Sequence, residues 1–270
     1  MKKPIIVMTS NVCCWNDSHF TNDNPHNAVC RRLPRVKALY KKYMPDIIGA
    51  QEVTLTWKNY LTEAMSEYGI VGDAREAIID PEHSSILYKK ERFELIKTET
   101  FALSESGEFG SLGWGEEYPR ICTYAILKDK INGDELCFFN THLALNNDAR
   151  IKMLELIFAK MDSFNLPLIL TGDFNTTETS DSYKLCTENR FDDTKYIAKD
   201  SDSGVTWHNY EGSDFSSNTS RHPEYRISPI DYILSSKGDF ECLNHKIIRE
   251  TVDGFYPSDH YFVISEVILK

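Results

Sequence analysis

Polar side chains suited to acid, base or metal work are read at the C-terminal ends of apolar runs: Asn11, Gln51 with Glu52, His142, Asp173 with Asn175, Asp231, and Asp259 with His260. Isolated surface carboxylates would fall at random phases of a hydrophobic pattern, whereas strand ends of a layered α/β protein can converge on one rim. Gathering Glu52, Asp173, Asp231 and Asp259 there is electrostatically unfavourable: like unit charges about 4 Å apart repel by about 4 kcal/mol at an effective dielectric of about 20. A cation must answer them. Carboxylate and amide oxygens with no cysteine in the set suit Mg2+ or Mn2+, and suit Zn2+ poorly. His142 and His260 add imidazoles that can donate to a phosphoryl oxygen or move a proton near neutral pH, provided a carboxylate orients each.

Elements that would position these groups follow from the apolar periodicity. Ile5 to Val12 reads as a buried strand, and Leu33, Val36, Leu39, Tyr40 and Tyr43 as the apolar face of a helix that Pro45 ends. Asp46 to Val53 is the next strand, followed by a helix carrying Trp57, Leu61 and Met65. Ile86 to Tyr88, Phe93 to Ile96, Ile121 to Leu127 and Leu136 to Thr141 read as strands, with Asn132-Gly133 as the hairpin turn between the last two. A helix from Ala149 to Met161 precedes a buried strand from Leu166 to Thr171. Final strands are expected at Ile230 to Leu234, Phe240 to Ile248 and Tyr261 to Ile268, so the sheets are mixed. Glu99 to Arg120 and Lys199 to Pro229 are long polar connections, read as substrate-contacting loops or as surface decoration. No repeat or linker interrupts the chain, which predicts one domain over residues 1–270.

Gln51-Glu52, Thr141-His142-Leu143, Gly172-Asp173-Phe174-Asn175, Ile230-Asp231-Tyr232-Ile233 and Ser258-Asp259-His260, in this order, resemble the motifs of the endonuclease/exonuclease/phosphatase superfamily. The resemblance covers nearly the whole chain. It implies a DNase I-like fold: an α/β four-layer sandwich of two mixed β-sheets flanked by helices. It further implies that Glu52, helped by Asn11, holds a divalent metal beside the scissile phosphate, with Asp259 close by, while Asp173 and Asn175 orient or deprotonate the attacking water. His260 would pair with Asp231, and His142 with a glutamate on an earlier strand, matched here by Glu82, with Glu76 and Glu91 as alternatives one alignment slip away. The implied chemistry is in-line attack of water on phosphorus, with metal and imidazolium stabilising the charge that grows on the phosphoryl oxygens.

Other residues carry weaker signals. Arg120, beside Pro119, could clamp a substrate phosphate or make a surface salt bridge. Trp15, Trp114 and Trp207 could stack on a base or sugar, or anchor loops. Thr206-Trp207-His208 resembles a T-x-H element of some family members, which places His208 near the substrate. Asn11 alone could cap a turn, and Ser258-Asp259-His260 alone could be one. Arg31, Arg32, Arg35, Lys37, Lys41 and Lys42 interleave with the apolar face of the first helix and read as its solvated side.

A hydrophobic fraction of 41% with 26% charged residues permits a substantial core and excludes wholesale disorder. The net charge of −11 argues against duplex nucleic acid held on a broad cationic face, leaving nucleic acid a possible but unfavoured partner. The seven scattered cysteines form no C-x-x-C pair and are expected to be reduced. No apolar run is long enough to span a bilayer, and Ile5 to Met8 is too short for a signal sequence, so membrane insertion is excluded and a cytoplasmic protein is expected. A small phosphorylated molecule, sugar or lipid headgroup is the favoured substrate and a nuclease the alternative. Ser228-Pro229 stands where repair endonucleases of the family often carry arginine, and the extra tryptophan and arginine elements of inositol phosphatases are missing. A binding domain without hydrolysis is the remote alternative.

Overall fold

The computed structural model describes residues 2–14, 25–212 and 223–270. In chain order the elements are β1 (Ile5–Asn11), α1 (Val29–Tyr43), β2 (Ile47–Val53), α2 (Leu55–Ala64), β3 (Tyr68–Val71), β4 (His83–Lys89), β5 (Phe93–Ala102), β6 (Ile121–Asp129) and β7 (Glu135–His142). Then follow α3 (Asn147–Met161), β8 (Leu168–Asp173), α4 (Asp181–Thr187), β9 (Phe191–Asp193), α5 (Thr194–Ile197), β10 (Ala198–Ser201), β11 (Asp231–Ser236), β12 (Phe240–Ile248) and β13 (Phe262–Leu269). One sheet has the order β10-β12-β13-β1-β2-β4-β3 and the other β5-β6-β7-β8-β11-β9. Both are mixed, because β1 with β2 and β7 with β8 pair parallel among antiparallel neighbours.

The layering follows from side chains that alternate along strands apolar on both faces. Val7, Ile47, Phe138 and Ile169 face the other sheet in the central core. Their neighbours Met8 and Ile48 face α1 and α2, meeting Val36, Leu39, Trp57 and Leu61. Phe139 and Leu170 face α3 and α4, meeting Met153, Ile157 and Tyr183. Three cores therefore separate four layers, which is the DNase I-like sandwich that the sequence motifs imply. Asn146 caps α3 with its side chain on the Asp148 and Ala149 amides, and Met44 closes α1 in a left-handed conformation just before Pro45.

Several expectations change in detail. The weakly periodic β3, β9 and β10 escape the apolar pattern because they are short or exposed, and β5 continues through Glu99 to Ala102. The Asn132-Gly133 turn forms, with Gly133 at φ 82°. The first helix is not solvated along its whole basic side: Arg32 and Arg35 are buried. Arg32 donates to the carbonyls of Asn27, Val12 and Cys13, so it grips the chain just after β1. All seven cysteines are free, and only Cys30 is exposed. No helix among the described residues is long and apolar enough to cross a membrane.

Candidate active site

Toward one end of the sandwich the space between the sheets turns polar. Gln51 Nε2 donates to Thr9 Oγ1 at 3.0 Å and to Asn140 Oδ1, and Asn140 Nδ2 donates to the carbonyls of Ala50 and Ser85 at 2.9 Å each. Thr171 Oγ1 reaches the same Asn140 oxygen at 3.1 Å. The sheets approach so closely here that a Cβ on Gly49 would stand 2.1 Å from Thr171 Oγ1. Two residues beyond Thr9, Asn140 and Thr171, hence on the same strand faces, come Asn11, His142 and Asp173.

Strand direction explains the remaining members. Asp231 and His260 do not follow apolar runs as Asn11 and His142 do; Asp231 opens β11 and His260 precedes β13. Because β11 runs antiparallel to β8 and β13 to β1, these starts lie at the same rim as the other strands' ends. Asp173 is the register partner of both His142 and Asp231. Glu52 arrives differently. Its φ of 58° and the register break between Ala50 and Val53 form a bulge in β2, so Gln51 stays between the sheets while Glu52 turns to the rim. Asn175, at φ 48°, adopts the left-handed conformation that asparagine tolerates better than most residues.

Asp173 Oδ2 is the centre of the arrangement. Asn11 Nδ2 donates to it at 3.0 Å, and the Nε2 atoms of His142 and His260 stand 3.5 and 3.7 Å away. The other oxygen, Oδ1, accepts the Asn175 amide at 2.9 Å, which fixes the carboxylate plane. Asn175 Nδ2 contacts His142 Nε2 at 3.0 Å and the Leu143 carbonyl at 3.0 Å. His260 Nδ1 pairs with Asp231 Oδ2 at 2.9 Å, as the motifs imply. Ser258 Oγ stitches the loop before β13 to β1 by donating to the Asn11 carbonyl at 2.7 Å.

Other placements depart from expectation. Asn11 turns its oxygen to the Cys13 amide at 2.9 Å and its Nδ2 to Glu52 Oε1 at 2.9 Å, so it links Glu52 to Asp173 rather than offering an oxygen ligand. Glu82 does not orient His142: its carboxylate pairs with Arg75 at 2.7 Å, and His142 Nδ1 is buried without a hydrogen bond. Glu82 lies just ahead of β4 in a cleft beside His142, where the Arg75 guanidinium outcompetes an imidazole for it. Asp259 stands at the rim outside the tight clusters, held by Trp207 Nε1 at 3.4 Å and Ser258 Oγ at 3.1 Å. His208 does not face a substrate. It is fully buried, stacks on Tyr261 with ring centroids 3.9 Å apart, and burial drives its pKa down to about 3. Its backbone amide donates to the Asp259 carbonyl at 2.8 Å, so it supports the rim from behind. Trp207 is half-buried at the rim, Trp114 packs against the outer core, and Trp15 lies outside the described residues.

Arg120 is buried and makes no surface salt bridge. With Glu52, Arg75, Glu82, Ser84 and His142 it lines a small cleft that adjoins the Asp173 cluster. Sequence reasoning missed Arg75, which sits in an irregular segment with no periodicity to single it out. Its one signal is the acidic spacing around it, Glu76 and Glu82, both of which it pairs with.

The two histidines are held in opposite states. Burial opposes charge on His260, but the Asp231 carboxylate, reinforced by Asp259 and Asp173, raises its pKa well above the ordinary value. Burial lowers His142 well below that value, and the Arg120, Arg75 and His260 charges add to it. Burial, then the neighbouring Asp231 charge, pushes the Asp173 carboxyl up to about 7. The ligand atoms of Glu52, His142 and Asp173 all lie within 4.8 Å of one another, and those of Asp173, Asp231 and His260 do likewise. The Glu52 and Asp173 oxygens with the uncharged His142 imidazole fit a divalent cation, whereas His260, held charged by Asp231, is placed to donate rather than to ligate.

Known proteins are similar to the chain in sequence and architecture. A structure of an endonuclease/exonuclease/phosphatase family protein from Bacteroides thetaiotaomicron is 28% identical, with 100% of this chain and 97% of that one covered at a TM-score of 0.87. A mannosyl-6-phosphatase from the same species is 27% identical, with 98% and 100% covered at a TM-score of 0.86. Protein angel homolog 2 of Danio rerio is 23% identical over 199 residues, which are 69% of this chain and 35% of that protein, so the chain spans about a third of that relative's length. The profile of the Endonuclease/Exonuclease/phosphatase family matches residues 22–260. A match of that extent, on a rim where the shared motifs meet around Asp173, makes this chain a member of the endonuclease/exonuclease/phosphatase family, whose members hydrolyse phosphoesters.

Proposed function

We propose that the chain is a divalent-cation-dependent phosphoester hydrolase, using Mg2+ or Mn2+, that acts on a small phosphorylated molecule by in-line attack of water. The observation that carries the reading is the meeting of Asn11, His142 and His260 around one oxygen of Asp173, next to a cleft that bears a guanidinium whose Nε has no hydrogen-bonded acceptor. Glu52 and Asp173 would hold the cation, with His142 beside them and Asp259 at the rim. When bound, the cation would polarise the phosphoryl group and answer the negative charge that gathers on its oxygens.

The chain's own groups supply the rest. His260, kept protonated by Asp231, donates Nε2–H toward the phosphoryl oxygens as their charge grows. Asp173, with Asn175 fixing its plane, presents Oδ2 as an acceptor for a proton of the attacking water. Neutral His142 is spaced between Asp173 and the cleft, within reach of the same phosphate. Arg120 meets the phosphate from the cleft side. The acidic chain offers no broad cationic surface for duplex nucleic acid, and the neighbour described as a mannosyl-6-phosphatase favours a sugar phosphate.

The test is steady-state turnover of hexose phosphates, p-nitrophenyl phosphate, a lipid headgroup phosphate, abasic DNA and single-stranded oligonucleotides with Mg2+ or Mn2+. Turnover of the small phosphates that chelator and His260→Ala both abolish is expected. Preference for an oligonucleotide rejects the small-molecule reading, and absence of turnover on the whole panel favours a binding protein.

A further inference from the structure

We propose that Arg120 makes this site selective for terminal phosphate dianions, so that the substrate class is phosphomonoesters and diesters are turned over poorly. The inference rests on the hydrolase reading above and deepens it.

Arg75 is answered twice, by Glu82 at 2.7 Å and Glu76 at 3.1 Å, and the Tyr118 ring lies 5.6 Å from its guanidinium carbon. Glu52 is engaged by Asn11 and the Cys14 amide and belongs to the cation cluster. Arg120 is only 5% exposed, yet its side chain has no hydrogen bond or ion pair among the described residues, and its Nε is fully enclosed without an acceptor. Glu82, Asp173 and Glu52 reach Arg120 only through space, and a buried guanidinium with no hydrogen-bonded acceptor is a costly arrangement that an anion in the cleft would relieve. His142 sits on the same wall and, being an imidazole, supplies no anion.

Two guanidiniums and two carboxylates line the cleft, so it is balanced as it stands, and a cation at Glu52 would make it net positive. A monoester dianion brings two negative charges and three terminal oxygens, enough to serve the cation and a forked guanidinium together. A diester brings one charge and two terminal oxygens, and its second ester arm must occupy the direction in which Arg120 waits. Pro119, Ile121 and the salt-bridged Glu82 and Arg75 line the cleft beside Arg120 and leave that arm no further cationic partner there.

The experiment compares p-nitrophenyl phosphate, a hexose 6-phosphate and methyl p-nitrophenyl phosphate in the wild type, Arg120→Gln and Arg120→Lys, with saturating Mn2+. The wild type should favour monoesters strongly. Arg120→Gln should lower monoester kcat/KM by about 10²- to 10³-fold, the loss expected for two charge-assisted hydrogen bonds, and should collapse the monoester preference at least tenfold by the same count. Lysine should restore only part of the loss because it lacks the fork. Calorimetry on the Mn2+-bearing protein supplies a readout independent of turnover: inorganic phosphate should bind far more tightly than dimethyl phosphate, and Arg120→Gln should erase the difference. Equal losses on both ester classes, or an unchanged phosphate preference, overturn the proposal. A wild type that prefers the diester also overturns it while leaving the hydrolase reading intact. Absence of all turnover rejects the hydrolase reading, and the phosphate calorimetry then still decides the role of Arg120.

Discussion

Replacing Asp231 by asparagine tests the central pair with little steric disturbance. The Asp231 carboxylate lies 2.9 Å from His260 Nδ1, both side chains are buried, and asparagine can still accept that hydrogen bond through Oδ1. What disappears is one negative charge. Opposite unit charges at 2.9 Å attract by about 6 kcal/mol at an effective dielectric of about 20, and burial opposes the charged imidazole. Losing half of that attraction, about 3 kcal/mol, lowers the His260 pKa and depletes its charged form. About 3 kcal/mol of lost transition-state stabilisation corresponds to about two decades in rate, so kcat should fall by about 10²- to 10⁴-fold, the range for a positioned proton donor. Asp231 raises the Asp173 pKa and the His260 charge lowers it, so the variant removes two opposing influences and should bind Mg2+ or Mn2+ about as well as the wild type. Residual activity should increase as pH falls below about 6.5, because burial without the Asp231 charge holds the imidazole under the ordinary histidine value. Steady-state kinetics with titrated cation would measure all three quantities. A variant that keeps more than about a third of wild-type kcat, far above the two-decade loss expected, or whose loss is cured by more cation, refutes the reasoning.

Cation binding should release protons near neutral pH, because Asp173 titrates at about 7 and a cation beside it favours the carboxylate. Titration calorimetry in buffers of different ionisation enthalpy reads this release, and buffer-independent heats would contradict it. His245, bonded through Nδ1 to Thr194 and Ser265, has its pKa lowered to about 4, chiefly by burial. Its folded pKa lies below the unfolded one, so its contribution is complete above about pH 6.5 and lost as pH falls through about 4. That contribution is about 3 kcal/mol, and urea midpoints from pH 7.5 to 4.5 should show a shallower acid loss in His245→Asn; parallel curves would exclude the effect. Gly49→Ala should destabilise by about 1–3 kcal/mol, since its methyl group overlaps Thr171 Oγ1 and Asn140 and forces the sheets apart. An unchanged melting temperature would show that the sheets yield there at no cost.

The identity of the site was largely legible before any fold, because each chemistry-bearing residue lies at or beside the end of a strand whose apolar alternation is strong. Asp173, Asp231, His142 and His260 therefore come together as their motifs imply. The weak elements were illegible for the opposite reason: β10 is exposed along most of its length, and without a buried face there is no period to read. Arg75 was illegible because its meaning comes from Glu82 and from the cleft they share, neither of which has a local signature.

What the sequence determined alone is which side chains face which layer, since alternation along a strand is a local property. Tertiary structure decided how those faces are used. Asn11 and Asp173 are 162 residues apart, and the direction of the Asn11 amide depends on where Glu52 and the Cys13 backbone stand. The bulge that turns Glu52 outward, the burial of His208 behind Asp259, and the choice of Arg75 over His142 by Glu82 depend likewise on neighbours distant in sequence. Competition among polar groups for a few partners is settled only when packing brings all the competitors together.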